Sequence, residues 1–180
     1  MHQKTDQELL ALLRGGNQKA FAELYERYKR GLYAYCVRLL GDRQEAEDAV
    51  QEAFVKLAAA SIVEPSALKS WLYRVARNEC LMGLRRNRTS GDADSVWADE
   101  TPLSLAEQSD TRLLVQRALE RLAIEYREVL LLREFEGMSY GEITEVTGAS
   151  PASVKSRLFR ARRALAGVLQ GVWNEERNDP

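Results

Sequence analysis

The sequence predicts an all-α protein made of two small helical domains joined by a flexible linker. Apolar residues recur at helical spacing through residues 5–88, and again through residues 109–173. Between these stretches, residues 89–108 lose the periodicity and are rich in Ser, Asp and Thr, a composition typical of a mobile connection. Together these observations predict domains at 1–88 and 109–173, an acidic linker at 89–108, and a polar tail at 174–180.

Four helices are predicted in the first domain. Their starts are marked by side chains that can cap a helix N-terminus, namely the Thr5–Glu8 pair, Asn17, Asp42 and Ser66. Gly41 is placed to end the second helix, and Pro65 falls in a loop before the fourth. The fourth helix is expected to run to about residue 88.

In the second domain, two apolar-periodic helices precede a motif that is typical of DNA-binding proteins. Ser139 and Glu142 form a capping box for a short helix, and Gly148 ends that helix. Ser150 and Pro151 then start another helix, whose apolar stripe comprises Val154, Leu158, Ala161 and Leu165. Two short helices with a tight turn, the second one basic, indicate a helix-turn-helix.

The charge is distributed unevenly along the 180 residues, although the net charge is only −1. Residues 1–88 have a balance of +4, residues 89–111 of −6, and residues 112–180 of +1. This pattern favours local contact with an anion over general coating of DNA. No apolar run approaches the length of a membrane span, and the first residues lack a hydrophobic signal region, so we expect a cytoplasmic protein.

Residues suited to metal binding or catalysis are sparse. The one histidine is His2, and the two cysteines, Cys36 and Cys80, lack the spacing of metal ligands. We interpret both cysteines as buried apolar residues in a reducing cytosol, rather than as a redox switch. No phosphate-binding loop or nucleophile motif is present in the sequence, so we expect neither a cofactor nor an enzyme.

Two basic segments are candidate nucleic-acid sites. In the helix-turn-helix, the residues off the apolar stripe form the candidate DNA face, and they include Lys155, Ser156, Phe159, Arg160 and Arg163. Residues 70–88 mix aromatic and basic side chains, which suits unpaired bases better than duplex DNA. In that segment we expect Trp71 to belong mostly to the core. A third segment, residues 41–57, has one acidic face and by itself supports no binding site.

In the order in which these segments follow one another, the chain resembles a bacterial RNA polymerase sigma factor of the extracytoplasmic-function group. The segments that carry the resemblance, in order, are AFAELYERYKRGLYAYCVRLLGDRQEAEDAVQEAFVKL, SWLYRVARNECL, YREVLLLREFEGMSYGEI and SVKSRLFRARRAL. The resemblance implies that residues 1–88 are sigma domain 2 and residues 109–173 are sigma domain 4. It also implies three partners: core RNA polymerase (the clamp coiled coil of the largest subunit, and the flap), promoter DNA, and an anti-sigma factor.

The resemblance further implies roles for particular residues. Binding of core polymerase would involve Asp48, Gln51, Glu52, Phe54 and Val55. The −10 promoter element would contact Lys69, Trp71, Tyr73, Arg74, Arg77, Asn78, Arg85 and Arg86. The −35 element would contact Ser139, Tyr140, Ser153, Lys155, Ser156, Arg157, Phe159, Arg160 and Arg163.

The sequence departs from the family pattern at three places. Ala123, Ile124 and Glu125 stand before the YRE segment, where a proline is common, and Ala152 and Ser153 stand where Gly-Thr is common. The loop at residues 61–69 lacks the expected aromatic and glycine residues.

Two other functions fit parts of the sequence. A helix-turn-helix regulator that acts without polymerase would need the second domain, but not the basic-aromatic helix at 70–88. A helical adaptor that binds only proteins would leave the arginines of both domains unexplained.

Overall fold

The structure is a computed structural model that describes residues 4–60, 63–90 and 110–177. These residues form eight α-helices and contain no strand, so the predicted fold class is confirmed. The helices are α1 (Asp6–Arg14), α2 (Gln18–Leu40), α3 (Arg43–Ala59), α4 (Leu68–Ser90), α5 (Asp110–Glu120), α6 (Ile124–Leu130), α7 (Tyr140–Thr147) and α8 (Pro151–Arg177). A short 3₁₀ turn (Pro65–Ala67) precedes α4, and a π-helical turn (Leu131–Phe135) follows α6.

Most of the predicted helix starts and stops are confirmed by hydrogen bonds and backbone angles. Ser66 is the exception, because it lies inside the 3₁₀ turn and α4 begins at Leu68. At α7, the Glu142 amide donates to Ser139 Oγ at 3.2 Å, and the Ser139 amide donates to Glu142 Oε2 at 2.7 Å. Both bonds of a capping box are thus made, and α1 begins with the same arrangement at Thr5. Gly41 and Gly148 end their helices with φ angles of 78° and 71°, a region that glycine enters without strain.

The first half of the chain is a small bundle in which α2, α3 and α4 pack on one another and α1 packs on α2. Its core is built from leucines of every helix and from a cluster of rings around Phe54. The Phe54 ring lies 6.2 Å from that of Phe21 and 4.7 Å from that of Tyr25, measured between ring centroids. Aromatic contacts at this range add to the burial energy of the core.

In the second half, α8 packs against α5, α6 and α7. Val154, Leu158 and Ala161 are fully buried and Leu165 is half-buried, which confirms the predicted stripe. Between α6 and α7 the backbone widens into the π-helical turn, where the Glu136 amide donates to the carbonyl five residues earlier, on Leu131, at 3.1 Å. Gly137, with a φ of 65°, then ends this turn, as the sequence predicts.

The two halves pack against each other, and their buried side chains form one continuous core. α4 lies against α7, and α2 contacts α5, α6 and the π-helical turn. One polar contact across this interface is the bond from Arg127 Nη1 to the carbonyl of Leu39, at 2.8 Å. No pattern in the sequence predicts that the two domains touch.

The structure also bears on the predicted linker, the predicted tail and the predicted absence of a membrane span. α4 takes in residues 89 and 90, and the rest of the predicted linker, with Trp97 and Leu103, lies outside the described residues. α8 continues to Arg177, so residues 174–177 of the predicted tail are helical, which the sequence pattern does not indicate. In the part of the chain that the structure describes, no helix is both long and apolar enough to span a bilayer.

Candidate nucleic-acid and polymerase interfaces

The outward face of α8 is the best-defined candidate DNA surface. Lys155, Ser156, Phe159, Arg160 and Arg163 are all exposed, on the side of the helix opposite the buried stripe. Phe159 is 62% exposed, and the Arg163 guanidinium lies 5.8 Å from the centre of its ring. The face therefore presents cations and one aromatic ring to solvent, which suits phosphate and base-edge contacts in a major groove.

The other predicted −35 residues lie around this face. Ser139 and Tyr140 are exposed at the start of α7, where the Arg133 guanidinium lies 5.1 Å from the centre of the Tyr140 ring. Ser153 is half-buried, and its amide donates to Ser150 Oγ at 3.2 Å, which confirms Ser150 as the cap of α8. Arg157 points away from the outward face and pairs with Glu128 at 3.7 Å.

The predicted −10 residues divide between two faces of α4. Arg74, Asn78, Arg85 and Arg86 are exposed. Trp71 is half-buried and packs against the core, as expected. The exposed residues form a basic surface that is accessible to solvent in this structure, and we call it the outer face of α4.

Lys69, Tyr73 and Arg77 instead point from α4 toward the second half of the chain, and we call them the inner face of α4. Arg77 Nε donates to Glu128 Oε2 at 2.7 Å, and Arg77 Nη2 donates to Glu128 Oε1 at 3.1 Å. Lys69 Nζ donates to the carbonyl of Glu136 at 2.7 Å, and the Tyr73 hydroxyl donates to the Glu136 carboxylate. Each polar group of the inner face thus has a partner from the second half.

Burial and hydrogen bonding shift the pKa values of these groups. Tyr73 is almost fully buried, and that burial, together with its bond to Glu136, raises the pKa of its hydroxyl well above the ordinary range. For Arg77, burial is the largest influence and acts to lower the pKa, but the hydrogen bonds to Glu128 and the attraction of its negative charge together outweigh burial, and the pKa is raised. Tyr73 is therefore neutral and Arg77 charged across the physiological pH range.

The predicted polymerase-binding residues of α3 lie on its solvent side, with one exception. Asp48 and Gln51 are exposed, and Val55 is 60% exposed, unusually high for an apolar residue. Glu52 is half-exposed and lies 3.6 Å from Lys56. Phe54 is only 2% exposed because its ring belongs to the core, so it supports α3 from behind and does not face a partner.

Glu128 and Glu136 were not among the predicted site residues. Glu128 is only 2% exposed, yet it accepts hydrogen bonds from Arg77 of α4 and pairs with Arg157 of α8. One buried carboxylate thus lies between arginines that the sequence assigns to two different DNA sites. The only signal in the sequence is that Glu128 falls in an otherwise apolar stretch, EVLLL, where an acid needs a partner.

The cysteines support their interpretation as core residues. Cys36 and Cys80 are both fully buried, on neighbouring helices, and neither is in a disulfide. A hydrogen bond to Cys80, with burial, raises the pKa of the Cys36 thiol, which keeps it protonated and unreactive. Among the described residues, no cluster of three or more His, Cys, Asp or Glu side chains is arranged to hold a metal ion.

Comparisons with known proteins agree with this arrangement. Residues 24–90 match the family model for sigma-70 region 2, and residues 112–165 match the model for sigma-70, region 4. The chain is 33% identical over 189 residues to the RNA polymerase sigma-H factor of Pseudomonas aeruginosa, covering 96% of this chain and 98% of that protein. It is 34% identical over 184 residues to the ECF RNA polymerase sigma-E factor of Escherichia coli K12, covering 93% of this chain and 96% of that protein.

Two solved structures are similar over most of the chain. One is the sigma factor RpoE of Bartonella quintana in complex with the anti-sigma factor NepR, with a TM-score of 0.70, 29% identity, and coverage of 84% of this chain and 98% of that one. The other is CnrH in complex with the cytosolic domain of CnrY, with a TM-score of 0.71, 27% identity, and coverage of 93% and 99%.

A helical domain with a basic helix, followed along the chain by a basic helix-turn-helix and matched by both family models, identifies an RNA polymerase sigma factor, a subunit that directs promoter-specific transcription initiation. The chain belongs to the sigma-70 family, and within it to the extracytoplasmic-function group. This family membership favours the sigma function over a helix-turn-helix regulator that acts without polymerase.

Proposed function

We propose that this sigma factor reads the −35 promoter element with the outward face of α8 and the −10 element with α4. The observation that carries the proposal is the outward face of α8. It collects Lys155, Phe159, Arg160 and Arg163 in solvent, while Val154, Leu158 and Ala161 fix the helix from behind. A Phe exposed to this extent has no role in its own core, so its place is at an interface.

The geometry of α4 supports the assignment of the −10 element. Arg74, Asn78 and Arg85 are exposed along the outer face of α4, and the half-buried Trp71 lies three residues before Arg74 on the same helix. Cations that follow a backbone, next to an aromatic ring, are the combination used for melted, single-stranded DNA.

For polymerase, the proposed contact is the exposed side of α3. Asp48, Gln51 and Val55 there combine an acid, an amide and an unpartnered apolar side chain, which suits a basic helical partner such as the clamp coiled coil of the largest subunit. The second domain would contact the flap. The protein would act in the cytoplasm, where it contributes specificity and no chemistry of its own.

An anti-sigma factor is the remaining proposed partner. Two similar sigma factors, from the RpoE–NepR and CnrH–CnrY structures, are each in complex with an anti-sigma protein. Because the present chain shares their fold over most of its length, it is expected to bind a protein of the same class.

Run-off transcription with bacterial core polymerase tests the proposal. Fragmented DNA from the native host serves as template, and discrete transcripts are expected only when both proteins are present. Arg160→Ala should then reduce transcript yield about fivefold or more, because loss of one good base contact costs about 1–3 kcal/mol. Transcripts that persist without the chain, or that are unaffected by Arg160→Ala, would contradict the proposal.

Arg162→Ala is a matched control on the same helix. Arg162 is also exposed, but Arg162 Nη2 donates to Glu134 Oε1 at 2.6 Å, so its guanidinium is engaged within the second half. The same loss of charge at this position should leave transcript yield within about twofold of the unsubstituted protein, since exposed ion pairs contribute little.

A further inference from the structure

The segment that leads into α4, residues 63–67, is held by a residue from a distant part of the chain, and we call it the entry segment. Arg14, in the last turn of α1, donates from Nη2 to the backbone carbonyl of Val63 at 2.9 Å. Val63 is only 5% exposed, and a backbone carbonyl shielded from water needs a donor. Because this donor is a guanidinium, the bond is charge-assisted and stronger than one between neutral groups.

The helix that carries this guanidinium is itself fixed in place. At the start of α1, the Asp6 carboxylate accepts hydrogen bonds from the Arg27 guanidinium and the Tyr28 hydroxyl of α2. Farther along α1, Leu9 and Leu10 are buried in the core. α1 is therefore held by polar contacts and by its apolar face, and it provides a rigid support for the bond to the entry segment.

Packing alone supports the entry segment only partly. α1, the end of α3 and the entry segment border a cavity of about 340 Å³, whose lining includes Leu10, Leu13, Leu57 and Val63. Side chains at the wall of a cavity lack contacts on that side. The Arg14 side chain also lines this cavity. Its bond to Val63 thus contributes more to holding the entry segment than it would in a close-packed loop.

The entry segment presents polar side chains beside the proposed −10 site. Glu64 and Ser66 are both exposed, and the Ala67 amide closes the 3₁₀ turn by donating to the Glu64 carbonyl at 3.0 Å. A single strand of DNA on the outer face of α4 would meet these residues at the N-terminal end of the helix. A carboxylate repels phosphate but accepts hydrogen bonds from base amino groups, and a serine hydroxyl also bonds to base edges. The entry segment therefore suits contact with an unpaired base.

From these contacts we propose that Arg14 is a positioning residue for the −10 element. Its bond to Val63 fixes the entry segment, and the entry segment in turn places Glu64 and Ser66 against an unpaired base. α1 thereby contributes to promoter choice, although it precedes residues 24–90, which match the region 2 model. This inference rests on the proposed function, because it concerns how the same −10 site selects its bases.

Three substitutions in the full chain test the proposal. Arg14→Gln removes the charge and shortens the side chain, so that the Val63 carbonyl loses its donor. Arg14→Lys keeps a charged donor, which suffices for a single carbonyl. Arg30→Gln is the matched control, since it makes the same chemical change at an exposed arginine of α2.

Hydrogen exchange followed by mass spectrometry reports on the entry segment in the free chain. In a peptide that covers residues 63–69, exchange should be about fivefold faster for Arg14→Gln, because the segment opens more often without its charged hydrogen bond. Fivefold is below the usual effect of a charged hydrogen bond because Arg14 is exposed. Exchange should stay within about twofold of the unsubstituted protein for Arg14→Lys and Arg30→Gln.

Run-off transcription with core polymerase reports on base preference. The templates carry a promoter found by the run-off assay, with its −10 and −35 positions randomised in separate pools, and sequencing of the transcripts gives the preference at each position. Arg14→Gln should lose about threefold or more of its discrimination at a −10 position and none at the −35 element, whereas Arg14→Lys should retain most of it. A chain that is merely destabilised would lower the yield from all templates equally and leave these ratios unchanged.

Unchanged exchange in Arg14→Gln would overturn the proposal, because the bond would then not hold the entry segment. So would faster exchange with unchanged −10 preferences, since the transcripts would show that the promoter function stands without the positioning role. An equal change of −10 preference in Arg30→Gln would overturn it as well, because loss of charge alone would explain the effect. If the unsubstituted chain starts no transcripts with core polymerase, the proposed function fails and this proposal fails with it.

Discussion

Glu128→Gln tests the central contact of the structure. The substitution keeps the shape of the side chain and removes its charge, so that two guanidinium groups lose their anion. A Gln amide keeps one oxygen acceptor, so Arg77 loses one of its two hydrogen bonds, at 2.7 and 3.1 Å, together with the opposite charge, and Arg157 loses its anionic partner at 3.7 Å. Because Glu128 is only 2% exposed, water cannot simply replace the lost interactions.

The expected magnitude follows from the exposure of each partner. Breaking a fully buried ion pair costs about 3–5 kcal/mol, because the remaining charge stays desolvated. Here the Arg77 and Arg157 side chains remain 16% and 35% exposed, so part of their charge is still solvated. The halves can also separate and return Arg77 to water. We therefore expect the free energy of unfolding to fall by about 2–3 kcal/mol, below the fully buried range.

Urea unfolding followed by circular dichroism measures this change. Glu145→Gln is the control, because Glu145 is an exposed acid of the same half and its replacement should stay within about 0.5 kcal/mol. Double-mutant cycles with Arg77→Gln and with Arg157→Gln then divide the loss of unfolding free energy between two ion pairs: Glu128–Arg77, which joins the two halves, and Glu128–Arg157, within the second half. A loss below about 0.5 kcal/mol for Glu128→Gln, or no coupling to Arg77, would refute the reasoning.

Three further outcomes are expected. Phe159→Ala should leave the free energy of unfolding within about 1 kcal/mol of the unsubstituted protein while lowering promoter-specific transcript yield at least tenfold. Leu158→Ala, one residue earlier and in the buried stripe, should instead lower the free energy of unfolding in urea by about 2–5 kcal/mol. Bonds from the amide and hydroxyl of Ser139 lower the pKa of the Glu142 carboxyl below its ordinary 4.5. The stabilisation that the Glu142 carboxylate contributes is therefore complete above pH 4.5 and is lost as the pH falls through the lower pKa of the folded state. Glu142→Gln should flatten that part of an acid-unfolding curve, and an unchanged curve would contradict the assignment. Ala123→Pro should raise the free energy of unfolding by about 0.4–1 kcal/mol in urea, because Ala123 already has a φ of −56° before α6; a loss of stability would show that the site does not accept the ring.

Local features of the fold could be predicted from the sequence. The capping boxes at Thr5 and Ser139, and the glycines that end helices at positions 41 and 148, are local signals, because each depends on residues within four positions of one another. The buried stripe of α8 follows from periodicity alone. For the same reason, the outward face of that helix could be assigned residue by residue.

Contacts between distant parts of the chain could not be predicted in this way. Arg77 and Tyr73 lie on a basic helix, and nothing local indicates that acids 51 and 63 residues later cover them. Phe54 fits an exposed polymerase contact as well as it fits a core position, until the rings of α2 are seen to surround it. Periodicity shows which side of a helix is apolar, but not which element lies against it.

The π-helical turn at Leu131–Phe135 makes the joint between α6 and α7 sensitive to chain length. Its five-residue hydrogen bond from Glu136 to Leu131 accommodates one residue more than an α-helical turn would hold. Deleting a single residue there would restore α-helical spacing and rotate everything that follows by roughly 100° about the axis of α6. Glu136 would then no longer lie against Tyr73, and the helix-turn-helix would rotate by the same angle. The number of residues in this short segment, more than their identity, thus sets the rotation of one half of the molecule relative to the other.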